Sequence, residues 1–221
     1  MNVTELKDKL PQQLYTIVAS NIAELRPAQV KSVKAGLLEE KNLLVCTPTA
    51  SGKTLIAELA ALSAILNGKG KAIYIVPLKA LAAEKYKDFK QRYGNLIKIA
   101  ISTGDLDSSD SYLANYDLLF MTSEKLDSLL RHHTPWIKSV KVVVIDEIHL
   151  LNDPGRGPTL EILITILKQL LPQMQLIGLS ATIGNSEELA EWLNAKLIID
   201  SWRPVTLHQG IYLDDKIEFK K

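Results

Sequence analysis

One loop in the first quarter of the sequence carries its strongest chemical signature. Positions 47–54 read Thr-Pro-Thr-Ala-Ser-Gly-Lys-Thr, directly after an apolar run and directly before a helix-like stretch. The ending is typical of phosphate-binding P-loops, although Thr47 replaces the first glycine of that pattern. Unpaired N–H groups and the positive end of a helix dipole attract phosphate at such a helix start. We therefore expect Lys53 to neutralise the β- and γ-phosphates of a nucleoside triphosphate and Thr54 to bind Mg²⁺. The rest of the expected phosphate cradle is Thr49, Ala50, Ser51 and Gly52.

A second group of reactive side chains closes the most apolar run of the chain. Asp146 and Glu147 are adjacent, and His149 follows two residues later. Adjacent carboxylates repel each other where solvent is excluded, and a bound cation removes that conflict. We expect Asp146 to hold Mg²⁺ through water and Glu147 to deprotonate the water that attacks the γ-phosphate. The simpler alternative is a solvated acidic pair at the end of a strand.

Several further positions fit the same chemistry but are weak signals alone. Ser180 and Thr182 follow another apolar run, and their hydroxyls could bond to His149 and transmit the state of the nucleotide. Gln29 lies near the start of a helix, and its amide can donate and accept at once, as the N6/N7 edge of adenine requires. An ordinary turn, a structural histidine and a surface glutamine explain these residues separately.

Short apolar runs alternate with helix-length stretches along the chain. Continuously apolar runs are typical of strands that are covered on both faces. Alternating strands and helices predict right-handed crossovers and a mostly parallel sheet between two helical layers, an α/β fold. The P-loop and the acidic pair are then expected on one rim, beyond the carboxyl ends of the strands. The expected strands contain residues 43–45, 72–76, 97–101, 118–120, 142–145, 176–179 and 197–199, and the expected helices 52–67, 78–92, 123–131, 159–171 and 186–194. Residues 5–25 are expected to form one or two helices interrupted by Pro11, with another helix from Pro27.

Composition limits the class of protein. The 221 residues include 26 Lys and Arg against 25 Asp and Glu, with 47% hydrophobic residues and one cysteine. This composition fits one large globular domain with a tail and excludes a disordered or fibrous chain. No apolar run is long enough to cross a bilayer and no signal-peptide pattern is present, so we expect a soluble, cytoplasmic protein without a membrane partner.

The near-zero net charge hides an uneven distribution. Residues 69–98 hold eight basic side chains against two acidic ones, whereas residues 101–130 hold six acidic side chains against one basic. From composition alone, a solvated helix face and a track for a polyanion explain the basic stretch equally well.

Taken together and in order, the four motifs resemble those of the first motor domain of superfamily-two helicases with a DExH box. Other segments resemble the Ski-type branch, and most closely the archaeal Holliday-junction-migration helicases. These segments are residues 77–81, 122–125, 130–132, 155–158 and 202–204. The resemblance implies a RecA-like three-layer α/β/α domain that uses ATP and Mg²⁺, associated with the nucleoid if the source is archaeal.

The resemblance also implies a partner and a function. Such helicases translocate on single-stranded DNA and unwind branched or stalled-fork DNA in repair and recombination, while Gln29 binds adenine and His149, Ser180 and Thr182 couple ATP to movement. Their loops hold the backbone of one strand, because helix N-termini and small hydroxyls bind phosphate without reading bases. The matching positions are Pro77, Lys79, Thr122, Ser123 and Lys125.

The resemblance predicts a domain boundary near residue 203. Residues 1–203 are expected to form the motor domain, and residues 204–221 a linker or strand pair that leads to a missing second motor domain. An arginine finger contributes roughly 10³ to 10⁵ in rate in related phosphoryl-transfer enzymes. Without one, we expect a monomer that binds ATP weakly and hydrolyses it slowly.

Other functions remain open at this point. An RNA helicase of the same branch is the rival interpretation, because backbone contacts alone do not separate DNA from RNA. A nucleic-acid-binding platform with vestigial hydrolysis is disfavoured by the intact Lys53, Asp146 and Glu147. A P-loop kinase or small GTPase is disfavoured because the sequence contains no guanine-selective Asn-Lys-x-Asp.

Overall fold

A seven-stranded sheet lies at the centre of the computed structural model, which describes residues 1–104, 110–208, 210–213 and 216–219. Its strands are β1 (Leu43–Cys46), β2 (Lys71–Ile75), β3 (Ile99–Ser102), β4 (Leu118–Met121), β5 (Val140–Ile145), β6 (Gln175–Ser180) and β7 (Lys196–Ile199). The spatial order is β3-β4-β2-β5-β6-β1-β7, and every neighbouring pair is parallel. The predicted strands are therefore confirmed, and the mostly parallel sheet is entirely parallel.

Helices cover both faces of this sheet. They are α1 (Gln12–Asn21), α2 (Pro27–Lys34), α3 (Lys53–Leu66), α4 (Lys79–Tyr93), α5 (Ser123–Arg131), α6 (Gly157–Leu170) and α7 (Ser186–Leu193). Helices α1 to α4 pack into one apolar core, and α5 to α7 pack into a second core on the opposite face. The predicted three-layer α/β/α architecture is confirmed.

The two cores explain why the strand sequences are continuously apolar. In β1, Leu43 and Val45 join the core beneath α1 to α4, while Leu44 and Cys46 join the core beneath α5 to α7. Successive strand residues point to opposite faces, so a sheet that is covered on both sides needs apolar side chains at every position.

Short 3-10 turns are the main elements that the sequence patterns did not predict. Residues Val3–Leu6 form one such turn, capped by the Asn2 side chain, so the first helix begins only after Pro11. Others lie at Ser111–Asn115, Pro135–Ser139 and Ile148–Asn152. Runs this short have no hydrophobic period, because a single turn does not return to the same face often enough to show one.

The end of the chain forms a small sheet of its own. Strands β8 (Gly210–Leu213) and β9 (Lys216–Phe219) pair antiparallel, and Ile211 and Phe219 are exposed. Residues 209, 214, 215, 220 and 221 of the predicted linker lie outside the described residues. The boundary at residue 203 stays a prediction.

Candidate active site

Three loops meet where strands β1, β5 and β6 end, on an edge that we call the carboxyl rim. Strand β6 lies between β1 and β5, so only Ser180 and its strand separate the P-loop at 47–54 from the acidic pair. The backbone N–H of Thr47 donates to the carbonyl of Ser180 at 3.2 Å. The carboxyl rim therefore places Asp146 and Glu147 close to the P-loop, although the two segments are distant along the chain.

The P-loop is closed by its own side chains. Thr47 Oγ1 and Ser51 Oγ lie 2.7 Å apart, and both residues are buried. Lys53 Nζ donates to the Thr47 carbonyl at 2.9 Å, while Ala50 and Gly52 adopt left-handed backbone with φ of 63° and 90°. A threonine is compatible with the first position of this loop because its hydroxyl is used in a buried hydrogen bond.

The ammonium of Lys53 is half-buried at the start of α3. Burial lowers the pKa of this group below its ordinary value, and it outweighs the opposing effect of the Glu147 and Asp146 carboxylates. Because these carboxylates act on Lys53, the P-loop and the acidic pair form one electrostatic site. A bound polyanion would favour the charged lysine and remove part of the desolvation cost.

Helix α2 braces the P-loop through Gln29 and Arg26. Gln29 is 4% exposed, and its Nε2 donates to the Gly52 carbonyl at 2.9 Å while its Oε1 accepts from the Arg26 N–H at 2.8 Å. Arg26 Nη1 donates to the Ala50 carbonyl at 2.6 Å, and its guanidinium lies 5.5 Å from the Trp202 ring centroid. A cavity of about 240 Å³ opens beside Gln29. Gln29 thus holds the loop at the mouth of a cavity, and its contact with adenine stays a prediction.

Asp146 is held from several directions. The Tyr74 hydroxyl donates to Oδ2 at 3.2 Å, and the Glu147 N–H donates to Oδ1 at 3.2 Å. Burial and the nearby Asp146 charge raise the pKa of Tyr74 well above its ordinary value, so its phenol stays a donor. Lys85 Nζ lies 3.8 Å from Asp146 Oδ2 and donates to Thr54 Oγ1 at 2.8 Å. One ammonium therefore approaches the two residues predicted to hold Mg²⁺.

The donor set on the rim fits that metal. The Thr54 hydroxyl and the Asp146 carboxylate are hard oxygen ligands, which Mg²⁺ prefers. Within the described ranges, no group of three or more His, Cys, Asp or Glu side chains is placed to hold a metal ion. Mg²⁺ commonly keeps several waters and shares substrate phosphates, so one or two protein ligands suffice. These residues fit a metal that arrives with a nucleotide.

Glu147 has a strained backbone. Its φ of 53° lies in the left-handed region, which residues other than glycine adopt rarely and which Glu40 and Ala50 also adopt. The Glu147 carboxylate is 37% exposed, and His149 Nδ1 lies 3.3 Å from its Oε2 without hydrogen-bond geometry. The strained turn keeps a carboxylate in contact with solvent at the rim.

Two buried polar atoms of the rim are unsatisfied. Ser180 Oγ and His149 Nδ1 are among four buried side-chain nitrogen or oxygen atoms that lack a hydrogen-bond partner in the part of the chain that is described. The predicted hydrogen bond between Ser180 and His149 is therefore not formed here, and Thr182 is exposed. Buried polar atoms without partners are rare, and ligands or water commonly satisfy them.

The two loops predicted to hold nucleic acid follow neighbouring strands. The Val76 N–H at the end of β2 donates to the Met121 carbonyl at the end of β4 at 3.0 Å. Lys79 is exposed at the start of α4, and Thr122 caps α5 by accepting from the Lys125 N–H at 3.4 Å. Both loops thus present a helix N-terminus on the carboxyl rim.

The position of Lys125 corrects one predicted contact. Its side chain is 1% exposed, and its Nζ lies 2.9 Å from Asp110 Oδ2. An enclosed ammonium does not reach a phosphate at the surface, so Lys125 has an internal ion pair instead of the expected nucleic-acid contact. Thr122 and Ser123 are each 6% exposed, whereas Pro77 is partly exposed.

Half of the basic stretch at 69–98 is used within the chain. Lys69 and Arg92 form ion pairs with carboxylates, and Lys71 donates to backbone carbonyls. Lys85 is part of the rim. Apart from the paired Lys69, the exposed basic residues of the stretch are Lys79, Lys87, Lys90 and Lys98. A polyanion would therefore meet a smaller positive surface than the composition suggests.

The segment that this chain shares with known proteins contains the same motifs. The model of the DEAD/DEAH box helicase family matches residues 26–190, which include the P-loop, the acidic pair and Ser180. The chain belongs to this family. The resemblance inferred from the motifs is thereby confirmed. The residues of the carboxyl rim lie within the segment that the family model matches.

Several curated helicases are close relatives. The chain is 58% identical over 193 residues to ATP-dependent DNA helicase Hel308 of Pyrococcus abyssi, and 57% identical over 205 residues to that of Methanocaldococcus jannaschii. It is 49% identical to the Hel308 of Methanocella arvoryzae. These matches cover 86%, 90% and 100% of this chain but only 26%, 17% and 30% of the relatives. The chain thus spans about a quarter of the length of the curated helicases it matches.

Solved structures support the fold. The crystal structures of the DUF1998 helicase MrfA bound to DNA, and bound to DNA and AMPPNP, each match with a TM-score of 0.76. Identity is 24% and 25%, over 88% of this chain and 30% of MrfA. The predicted RecA-like helicase fold is confirmed. No helix within the described ranges has both the length and the apolar character that a membrane span requires.

Proposed function

We propose that this chain is the first motor domain of an ATP-dependent DNA helicase, which binds Mg²⁺ and ATP at the carboxyl rim. In this proposal, residues 1–203 form the motor domain and residues 204–221 lead to a second motor domain. The whole helicase would move along single-stranded DNA and unwind branched or stalled-fork DNA. Because its substrate is the chromosome, we place it in the cytoplasm with the nucleoid.

One observation supports the nucleotide site most strongly. The Thr54 hydroxyl and the Asp146 carboxylate face the same ammonium, that of Lys85, at 2.8 Å and 3.8 Å. The P-loop and the acidic pair are therefore adjacent although many residues separate them in sequence. A phosphate chain in the loop would lie beside a carboxylate pair that needs a cation.

The residues of the rim divide the work of hydrolysis. Thr49, Ala50, Ser51 and Gly52 would supply backbone N–H groups to the phosphates, and Lys53 would neutralise them. Thr54 and Asp146 would hold Mg²⁺, which would neutralise charge on the phosphates. Glu147 would accept the proton of the attacking water, and its exposure to solvent suits that role.

The remaining residues would report the nucleotide to the rest of the protein. Ser180 and His149 carry unsatisfied atoms near the phosphate site, so a bound phosphate or water could complete their hydrogen bonds. Thr182 is exposed at the end of the same loop, where it could contact a second domain. Gln29 would place adenine in the adjoining cavity.

DNA would lie along the loops that end β2 and β4. Pro77, Lys79, Thr122 and Ser123 surround two helix N-termini on one rim, and such termini bind phosphate. We omit Lys125 because it is enclosed with Asp110. The Hel308 relatives are named as DNA helicases, and MrfA was solved with DNA, so we favour DNA over RNA.

Nucleotide binding is tested with a fluorescent, non-hydrolysable ATP analogue and Mg²⁺. Lys53→Ala should weaken binding at least tenfold, because a charge-assisted contact to phosphate contributes about 1.5–3 kcal/mol. Lys87→Ala, on the exposed side of α4, is the matched control and should leave affinity unchanged. Equal affinity of the Lys53→Ala variant and the unchanged protein would contradict the phosphate assignment.

The nucleic-acid partner is tested by fluorescence anisotropy with one sequence made as single-stranded DNA and as RNA. We expect tighter binding to the DNA, and weaker binding after Lys79→Ala. If RNA bound more tightly than DNA, the function would belong to an RNA helicase of the same family.

A further inference from the structure

Lys85 lies on the inward side of α4, although no sequence motif includes it. It follows the buried Ala82 by three positions and precedes the buried Phe89 by four, so all three share one face of the helix. Its side chain is 22% exposed. Its neighbours Lys87 and Lys90, in contrast, are exposed to solvent.

The ammonium of Lys85 contacts three groups of the carboxyl rim. It donates to Thr54 Oγ1 at 2.8 Å, lies 3.8 Å from Asp146 Oδ2, and lies 5.9 Å from the centroid of the Tyr74 ring. Tyr74 itself donates to the same Asp146 oxygen at 3.2 Å. Lys85 is therefore placed by an acceptor, a carboxylate and an aromatic face together.

The acceptor and the carboxylate are the two side chains assigned to Mg²⁺. We infer that the Lys85 ammonium occupies the cation position of the nucleotide-free protein and is displaced when Mg²⁺ and nucleotide bind. This inference rests on the proposed nucleotide function. It makes Lys85 a positioning residue that competes with the metal.

Charge explains why a lysine would be useful at this position. Without a cation, the Asp146 and Glu147 carboxylates would lie side by side at a rim where Asp146 is only 14% exposed. A nearby positive charge offsets the repulsion between them. The Lys85 ammonium therefore supplies a cation beside Asp146 before the metal binds.

The same contact cannot persist when the metal is bound. Mg²⁺ binds oxygen at about 2.0–2.1 Å, and the Thr54 hydroxyl that it would use already accepts a hydrogen bond from Lys85. Two cations on one hydroxyl would repel strongly in a partly buried site. Since a lysine stem is long and flexible, the ammonium can leave without movement of α4.

An alternative arrangement predicts the opposite result. If Lys85 stayed in the site and bound a phosphate, its removal would weaken nucleotide binding. If it competes with Mg²⁺, its removal lowers the metal concentration that nucleotide binding requires. Whether nucleotide binding becomes weaker or stronger when Lys85 is removed therefore distinguishes the two arrangements.

The first experiment uses metal alone. Binding of Mn²⁺, as a paramagnetic substitute for Mg²⁺, is followed by electron paramagnetic resonance for the 221-residue chain and its Lys85→Met and Lys87→Met variants. We expect Lys85→Met to bind Mn²⁺ at least fivefold more tightly, and Lys87→Met to match the unchanged chain. Adding Asp146→Asn to Lys85→Met should remove the gain. Unchanged or weaker Mn²⁺ binding by Lys85→Met would overturn the inference.

The second experiment measures the Mg²⁺ midpoint for binding of the fluorescent ATP analogue. Lys85→Met should lower this midpoint several-fold, and a raised or unchanged midpoint would overturn displacement. If the unchanged chain bound no analogue at any Mg²⁺ concentration, the proposed function would fail. The Mn²⁺ titration would then still decide whether Lys85 occupies a cation position.

Discussion

The two ends of the parallel strands hold their polar side chains in different ways. At the amino end, Glu40 forms ion pairs through both carboxylate oxygens, and the buried Gln175 Nε2 donates to two backbone carbonyls. At the carboxyl rim, Ser180 Oγ and His149 Nδ1 have no hydrogen-bond partner within the described ranges. Glu40 and Gln175 are thus satisfied by the chain itself, whereas Ser180 and His149 are not. Two further buried atoms without a partner in the described part of the chain, Ser63 Oγ and Trp136 Nε1, lie away from the carboxyl rim.

The larger cavity does not lie at the end of the sheet that carries the candidate site. The amino end opens a cavity of about 630 Å³, lined by Glu40 and Lys141 among others, and the cavity beside the P-loop measures about 240 Å³. The smaller one is lined by Arg26, Gln29 and Gly52, beside the P-loop. For this fold, cavity volume alone does not identify the functional end.

The largest expected effect tests the carboxyl rim directly. Glu147→Gln removes the proposed base, so ATP hydrolysis should fall by roughly 10² to 10⁴, the usual contribution of a general base. Affinity for the non-hydrolysable analogue should change less than about threefold, because the contacts of the P-loop with phosphate remain. Hydrolysis is followed with radiolabelled ATP at excess protein.

The control is Glu161→Gln on the exposed face of α6, which should leave both quantities unchanged. Equal hydrolysis by the Glu147→Gln variant and the unchanged chain would remove Glu147 from the proposed mechanism.

The amino end should respond in stability and not in binding. Gln175→Leu leaves the Leu37 and Lys41 carbonyls without their side-chain donor, and each unsatisfied buried group costs about 1–3 kcal/mol. We expect the free energy of unfolding in urea to fall by about 2–4 kcal/mol. Nucleotide affinity of the folded protein should not change, and a loss of affinity without a loss of stability would reverse the comparison.

The matching substitution at the carboxyl rim has a smaller and opposite effect on stability. Ser180→Ala removes a buried hydroxyl whose neighbour, the Cys46 thiol, is at most a weak hydrogen-bonding partner, so the free energy of unfolding should stay the same or rise by up to about 1 kcal/mol. Urea unfolding of both variants under one condition measures the contrast. A loss of 2 kcal/mol or more, on the order of a broken buried hydrogen bond, would show that Ser180 is satisfied in solution.

The smallest effect concerns Glu40. The hydrogen bond from Lys69 lowers the pKa of this carboxyl below its usual value of 4.5, and Lys141 lowers it further. Together the two lysines outweigh burial, which raises the pKa. A lowered pKa in the folded state stabilises the protein above the unfolded pKa, and that stabilisation is lost as the pH falls through the folded pKa. Glu40→Gln should therefore cost less than about 1 kcal/mol at pH 7, because the pair is partly exposed. In urea unfolding the difference should shrink as the pH falls below 4.5 and the carboxyl is protonated, and a difference that persists once it is fully protonated would mean a cause other than charge.

Much of the fold was predictable because its signals are local. Continuously apolar strands indicate a sheet that is covered by helices on both faces. Helix α5 was predicted at its observed bounds, Ser123–Arg131. The P-loop and the acidic pair were predictable for a topological reason, since parallel strands bring distant carboxyl ends to one rim.

The missed features depend on contacts between distant residues. Lys125 pairs with Asp110, and Lys85 with Thr54 and Asp146. Helical spacing partly predicted the inward position of each lysine, because Lys125 lies four positions before the buried Leu129 and Lys85 four positions before the buried Phe89. Periodicity places such a lysine on an inward face, but it does not reveal which acceptor lies opposite.

The central claim is that the P-loop and the acidic pair bind one Mg²⁺ with one nucleotide. A double-mutant cycle with Thr54→Ala and Asp146→Asn tests it most directly, with Mg²⁺-dependent affinity for the ATP analogue as the measured quantity. If both residues hold the same ion, the double variant should bind about as weakly as the weaker single variant, because the second substitution has no contact left to remove. Losses that simply multiply in the double variant would mean that the two residues act independently, and that result would contradict the account.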